Sequence, residues 1–534
     1  MAAASQPGLR SRVRGQWRDR SEQERRAVTI AIEVVVAFLC WLIDRPLGYG
    51  VAVVFTCLWL RKLPPLPWRL LVEAIVVGIF AVGWLAGSTP GSVPLVLLVA
   101  FALTWIPARQ RRWALPLAVV GIAVLYPFYT THLFTIPFFG AFPDVASGTA
   151  TYMMVFMMMA VGLNIVVGYA GLLDLGYVAF YAIGAYVMGW FASSQFQGAA
   201  CSNPHYSVAN CPGQLVAARN IVFGGVGLSP GTGGIHISIF LVLVIAGVVT
   251  ALFGTLIGLP TLRLRGDYLA IVTLGFGEIL PQVARNGASI GGFNLTNGAL
   301  GITPIDQPGF GSHLSHLTGG FLPANFLSCC SATLLGHQIS GADLFYWFAI
   351  LLLVFTVFCS LRLRDSRLGR AWIAIREDET AAAAMGVPLM RTKTWAYAGG
   401  AFFGGVAGAY YASVKSSVTS DDFYFNISVF ILCMVILGGM GNVWGVLVGA
   451  AFLAYLNKEG LGDIGAWIDA HINIFGYRPN IDVPLYESGI YGVIIVVVML
   501  VRPEGLIPSA RRARELHEAE THDAPLYDVQ HEGA

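Results

Sequence analysis

The sequence is short of charge. Asp, Glu, Lys and Arg make up 12% of its 534 residues, while 56% are hydrophobic. Soluble domains carry about a quarter charged residues, so the polar surface that would cover a soluble fold of this length is missing. Lysine is nearly absent and arginine carries almost all of the positive charge, so there is no lysine-rich patch of the kind that holds nucleic acid. No Gly-Lys dipeptide occurs. That excludes a Gly-x-x-x-x-Gly-Lys-Ser/Thr phosphate loop, and any ATP must be hydrolysed by another chain. The scattered histidines and the eight cysteines show no zinc-ligand spacing. No His, Ser, Cys or paired carboxylates share a helix face in a catalytic pattern. Roughly ten-residue stretches of alternating polarity, the mark of a membrane β-barrel, are also lacking.

What the sequence does have is long apolar runs. Ala74–Ala108 and Ile239–Leu259 contain no charged residue. Runs of about 18 or more such residues reach across a bilayer, and in lipid their backbone groups can be satisfied only as helix. The reading is an all-α, polytopic integral membrane protein with about fourteen transmembrane helices. Their centres are expected near residues 35, 53, 78, 99, 121, 157, 185, 248, 276, 352, 403, 432, 450 and 494. Residues 1–145 hold a basic tail and extra spans, 146–508 hold the glycine-rich, charge-punctuated segments, and 509–534 form a polar tail read as disordered.

Arginine placement sets the orientation, because cytoplasmic loops are enriched in Lys and Arg. The basic stretch Arg10–Arg26 is too long for a signal peptide and leads into no small-residue cleavage site. With that stretch inside, arginines recur in Arg61–Arg69, Ala108–Trp113, Leu262–Asp267, Leu361–Lys393 and beyond Arg502. The intervening Gln197–Ile235 has only Arg219, and Asn286–Tyr346 has no Lys or Arg. Both termini are thus expected in the cytoplasm. Cys201, Cys211, Cys329 and Cys330 fall on the oxidising side, where a Cys201–Cys211 disulfide is expected. Cys40, Cys57, Cys359 and Cys433 fall inside spans as small packing residues.

The longest cytoplasmic loop, Arg364–Gly386, is the most informative segment. Its first half is basic. Glu377–Met385 is alanine-rich and is expected to be helical, with Glu377, Asp378 and Glu379 at its N-terminus and Gly386 followed by Pro388 ending it. A short helix of this kind could press into a groove on a soluble partner. A loop that merely fixes topology is the plainer reading of the charges alone.

Elsewhere, Gly168, Gly171 and Gly176 surround Asp174, which is expected to cap or open the following span near the cytoplasmic face. Further along, Ala179, Ile183 and Gly184 offer a small-residue face. Glu278 is an ionisable residue within a span, hence either part of a pathway or half of a buried pair, with Arg285 as one candidate partner. Gly400, Gly404 and Gly408, and again Gly441, Gly445 and Gly449, recur every four residues. Each set lets another helix approach closely, in this chain or in a second subunit.

Taken together, these segments resemble the LivM-type permease of branched-chain amino acid transporters. They are Gly168–Tyr186 (Gly-Tyr-Ala-Gly-Leu-Leu-Asp-Leu-Gly at its start), Leu262–Glu278, Ser366–Gly386, Leu437-Gly-Gly-Met-Gly-Asn-Val-Trp-Gly445 and Arg502-Pro-Glu-Gly-Leu-Ile-Pro508. They occur in that family's order across residues 146–508. The loop run Glu379-Thr-Ala-Ala…Gly386 is similar to the Glu-Ala-Ala…Gly coupling motif of ABC-importer permeases, with one inserted Thr.

The resemblance implies a permease in a bacterial inner membrane with no catalytic site and no cofactor in this chain. ATP and Mg would be bound by two cytoplasmic ATPase subunits. A second permease subunit would complete the path, and a periplasmic or lipid-anchored binding protein would deliver the substrate. It further implies that Arg367, Gly369, Arg370, Glu377, Asp378, Glu379, Ala382 and Gly386 belong to the ATPase-coupling loop. Gly171, Asp174, Gly176, Gly184 and Glu278 become candidates for the translocation path. A sibling importer of urea or short amides shares much of the pattern. A stand-alone secondary transporter is disfavoured by the coupling-type loop and by the shortage of acidic residues placed for ion coupling.

Overall fold

A computed structural model describes residues 146–196, 221–223, 234–262, 267–289, 294–326, 333–334, 337–471, 483–501 and 505–507, with short pieces between 120 and 141. The spans expected before residue 120, the four loop cysteines and the C-terminal tail lie outside the described residues. The chain separates into two compact units, Met1–Val145 and Ala146–Ala534. In the first, β1 (Thr135–Ile136) and β2 (Gly140–Ala141) form an antiparallel pair.

The second unit is helical, and every centre expected from residue 157 onward lies in a helix. It begins with α1 (Ser147–Leu163), which runs on as a π-helix over Asn164–Tyr169. Then come α2 (Val178–Phe191), α3 (Ile239–Thr261) and α4 (Asp267–Asn286). After the short α5 (Gly311–Leu317), α6 (Gly341–Asp365) leads into α7 (Arg367–Glu377) and α8 (Glu379–Ala384). The long α9 (Leu389–Lys415) follows, then α10 (Phe425–Gly438), α11 (Val443–Tyr455), α12 (Leu461–His471) and α13 (Glu487–Val501). A second π-helix, Leu456–Gly460, joins α11 to α12. Strands are few. β3 (Ala192–Ser193) and β4 (Ile221–Phe223) flank β5 (Ile235–Ile237), and β6 (Thr333–Leu334) pairs with β7 (His337–Gln338).

The core forms around α9, which packs against α1, α2 and α3. Its glycines explain why so long a helix can be so crowded. A Cβ on Gly408 would run into the Tyr181 carbonyl of α2, and one on Gly400 would press on Val166 of the π-helix. From the other side, Gly184 of α2 meets the backbone at Gly405. The first glycine series is therefore filled from within this chain. The second series is not one helix face. Gly441 lies in the turn before α11 with φ +85, while Gly445 and Gly449 of α11 meet Gly438 of α10.

Four described segments are long and apolar enough to cross a membrane: Ser147–Tyr169, Ile239–Thr261, Gly341–Asp365 and Ser420–Gly438. The outer face of α3 is largely apolar, with Val244, Val248, Leu252, Leu256 and Leu259 all exposed. In water such a stripe would drive association, whereas in lipid it is at rest.

Candidate functional site: the junction beneath the loop helices

Two helices, rather than one, occupy the loop after α6. Ser366 caps α7 by accepting from the Gly369 N–H at 3.2 Å. Gly369 is required there because a Cβ would strike the carbonyls of Leu363 and Arg364. Trp372 and Ile375 are buried, and the Trp372 indole donates to the Thr392 carbonyl at 2.8 Å, fixing α7 to the start of α9. Glu377 ends α7, so the helix expected over Glu377–Met385 is divided.

Asp378 is the divider. Its Oδ1 accepts from the N–H groups of Thr380 and Ala381 at 2.8 and 3.0 Å and from the Thr380 hydroxyl. Those bonds, the hydroxyl first, hold its carboxyl below the usual carboxylate range. The short α8 ends as Gly386, at φ +85, donates to Ala383 O and Val387 donates to Ala382 O. This is a Schellman closure, and it needs the left-handed glycine the sequence suggested. Ala382 is buried beneath α8, and the Glu379 carboxylate meets Lys393 of α9 at 2.7 Å. Arg367, Arg370, Glu377, Asp378, Met385 and Gly386 form the exposed upper surface.

Beneath the loop, segments far apart in sequence converge. Arg376 donates from Nη1 to the Gly168 carbonyl in the π-helix. Gly171, at φ +69, backs closely onto the Arg376 stem. Asn164 Oδ1 accepts from the Gly441 N–H at 2.9 Å. Leu506 and Ile507 donate to the carbonyls of Leu437 and Gly438, and Asn442 donates to the Ile507 carbonyl. Leu175 N–H donates to Thr273 Oγ1 at 3.0 Å, and Gly176 lies against the Thr273 backbone. All five motif segments therefore meet at one end of the core.

Two expectations need correction. Asp174 does not cap α2: its Oδ1 accepts from Gly176 N–H at 2.9 Å, while the Val178 N–H at the head of α2 finds the Ser428 hydroxyl. Asp174 is buried, and its second oxygen has no hydrogen-bond partner among the described residues. Arg285 does not pair with Glu278. It faces Asp421 at 3.8 Å, and Glu278 is exposed on α4.

Sequence reasoning missed Arg376, Asn164 and Lys393. Arg376 was hidden in a basic run, although buried Trp372 and Ile375, three apart, mark an amphipathic helix that would have placed it at that helix's end. Nothing local distinguishes Asn164 from an ordinary polar residue in a span.

A bundle of apolar helices built around backbone-close glycines, four of its described segments long enough to cross a membrane and a capped polar loop at one end, defines a multi-pass membrane protein. The family model described as branched-chain amino acid transport system, permease component, matches residues 145–499. The chain is 34% identical over 400 residues, 74% of its own length and 75% of the relative's, to the high-affinity branched-chain amino acid transport system permease protein LivM of Salmonella typhimurium. It is 35% identical over 375 residues to the LivM protein of Escherichia coli, covering 69% and 72% of the two chains. A probable LivM protein of Methanocaldococcus jannaschii is 24% identical over 384 residues, 68% of this chain and 94% of that one. No solved structure matches the chain significantly. The chain belongs to the branched-chain amino acid transport permease family.

Proposed function

We propose that this chain is the transmembrane permease subunit of an ATP-driven importer of branched-chain amino acids in a bacterial inner membrane, with both termini cytoplasmic. Two cytoplasmic subunits bind ATP and Mg and press on α7 and α8. A second permease subunit completes the path, and a periplasmic or lipid-anchored binding protein supplies leucine, isoleucine or valine. Residues 146–508 are the permease core, and residues 1–145 are an addition to it.

The observation that carries this reading is the build of the loop. A topological anchor needs only charge. Here two capped helices present an exposed polar surface, while Arg376 on the underside grips the π-helix and lies beside the Gly441 turn. A push on α7 is thereby delivered to α1, α10 and α11 at once. The relatives' names favour branched-chain amino acids over urea or short amides.

Gly386→Val tests the coupling role. A β-branched residue at φ +85 costs roughly 1 kcal/mol or more and frays α8, while the membrane core keeps its own packing. Membrane insertion should stay near normal, while uptake and substrate-stimulated ATP hydrolysis fall together and the ATPase co-purifies poorly. Unchanged uptake and ATPase association would return the loop to a topological role. Glu379→Lys, which sets two cations against each other, probes the same contact independently.

A further inference from the structure

At the end of the core away from the loop, the scaffold closes on itself and leaves three tyrosine hydroxyls over. α9 starts beneath the loop helices and ends at Lys415, and a 3-10 turn, Ser420–Phe423, follows it. Tyr411 of α9 packs on Tyr181 of α2 with ring centroids 5.7 Å apart, and Phe423 packs on Tyr181 at 5.4 Å and on Tyr186 at 5.6 Å. Tyr181 and Tyr186 are 2% and 5% exposed, and Tyr411 is half-buried. The Tyr186 hydroxyl is buried with no hydrogen-bond partner, and those of Tyr181 and Tyr411 bond to none of the described residues either. Tyr177 and Tyr410, also buried, each find a carbonyl, Gly400 O at 2.9 Å and Phe345 O. Tyr397 lacks a partner too, but alone and near the other end of α9. A buried polar group left unpaired costs free energy, so three together point to a ligand that pairs them.

These hydroxyls gather about an ion pair. Lys415 meets Asp422, and the charge of Asp422 acts on Tyr181, Tyr186 and Tyr411 alike. Both Asp422 oxygens are engaged, Oδ1 by Lys415 and Oδ2 by the Thr419 N–H and hydroxyl at 3.0 and 2.8 Å. The Thr419 bonds close a capping box, so the turn is held, and Lys415, 36% exposed, is the member of the pair that can move.

We infer that this cluster is an outer substrate subsite, which a free branched-chain amino acid enters as a zwitterion by parting Lys415 from Asp422, an inference that rests on the importer reading above. The α-carboxylate takes Lys415 and accepts from the tyrosine hydroxyls, and the α-ammonium takes Asp422. The branched side chain lies against the Tyr411 ring. The ion pair selects this chemistry. A ligand of a single charge would strand the other member of the pair, whereas a zwitterion turns one pair into two. The hydroxyls select the carboxylate side, because they lack an acceptor and a phenol bonds an anion more strongly than a neutral group.

The test uses the assembled transporter purified without its binding protein. The probes are leucine, 4-methylpentanoate, which lacks the ammonium, and 3-methylbutylamine, which lacks the carboxylate. Leucine at about 10 mM should raise the melting temperature by about 2 °C, and neither analogue should. The double variant Tyr181→Phe, Tyr186→Phe removes two hydroxyls that have no partner in the described chain. Its melting temperature without ligand should hold or rise, while the leucine shift is lost. In proteoliposomes with saturating loaded binding protein, the same variant should take up leucine about three-fold more slowly. A shift from 4-methylpentanoate equal to that from leucine means a plain anion site and overturns the zwitterion. No shift with any of the three means that the hydroxyls hold water and overturns the subsite. A leucine shift that survives in the double variant places the binding elsewhere and overturns it equally. Should the double variant fail to assemble, Tyr411→Phe carries the same comparison. Wild-type transporter that takes up no branched-chain amino acid would overturn the importer reading and this inference with it, whereas normal wild-type uptake with no leucine shift sinks the inference alone.

Discussion

The two ends of the core are held in different ways. At the loop end, single side chains bond to the backbone of another segment: Arg376 to Gly168, Trp372 to Thr392, Asn164 to Gly441. At the opposite end, buried polar groups around Asp306 close upon one another. His236 meets Asp306 at 2.9 Å, Asp306 N–H donates to Ala192 O, and Ser413 donates to Asp306 O. Ser340 with Asp343 and Thr419 with Asp422 make capping boxes. Asp306 and His236 are both buried, whereas the top of the loop is open. An end satisfied within itself is suited to staying put. An end whose few contacts run from one rigid helix to another is suited to transmitting displacement.

If this contrast holds, the largest effect comes from neither end but from the packing between them. Gly408→Val forces a side chain into the Tyr181 carbonyl, and overpacking against backbone costs about 3 kcal/mol or more. Folded protein recovered in detergent should fall sharply, as read by size-exclusion chromatography. Normal recovery would mean that α2 and α9 can separate, and the rigid middle would be lost from the picture.

A smaller effect is expected at the loop end. Lys393→Ala leaves Glu379 unpaired, but that carboxylate is 40% exposed and water takes over much of the loss. Amide exchange over residues 379–387 should quicken about five-fold, or ~1 kcal/mol, with no change near Asp306. A change at both ends would blur the distinction between them.

The smallest is a pH effect at the opposite end. Burial pushes the Asp306 carboxyl up to about 6 from 3.8, with the hydrogen bond from His236 pulling it back. The folded state then holds this proton more tightly than the unfolded chain does. The stabilisation is complete below about pH 4 and is lost as pH rises to about 6. The melting temperature should fall across that window, and Asp306→Asn should flatten the slope.

The loop end was far more legible in sequence than the opposite end, and the reason is physical. Alanine propensity, acidic residues, a terminating glycine and a proline are local signals, and they placed α8 to within two residues. The error at Glu377 arose because Asp378 was read as a first-turn charge, when its side chain caps the backbone and divides the run into two helices. Apolar runs near bilayer length placed α1, α3 and α6. The glycine repeat at Gly400 announced a close approach without saying that Val166, Tyr177 and Tyr181 supply the other wall. His236 and Asp306, seventy residues apart, left no periodic trace at all. Glu278 could be singled out as an unusual charge, yet only the fold shows that Arg285 turns to Asp421 and leaves it open.

The π-helix at Asn164–Tyr169 has one more consequence. A turn closed by i→i+5 bonds contains a surplus residue, and each α-helical residue advances about 100° around the axis. Everything from Gly168 onward is therefore out of phase with the face that α1 turns toward α6 and α11. The chain thus carries two angular registers in a single rod, one for packing and one for presenting the Gly168 carbonyl to Arg376. Deleting one residue within 164–169 would let the rod relax to plain α-helix. The outer turns would keep their neighbours, while the acceptor for Arg376 would swing by about a quarter of a turn, so the protein would stay folded with its loop disengaged from the helix it grips.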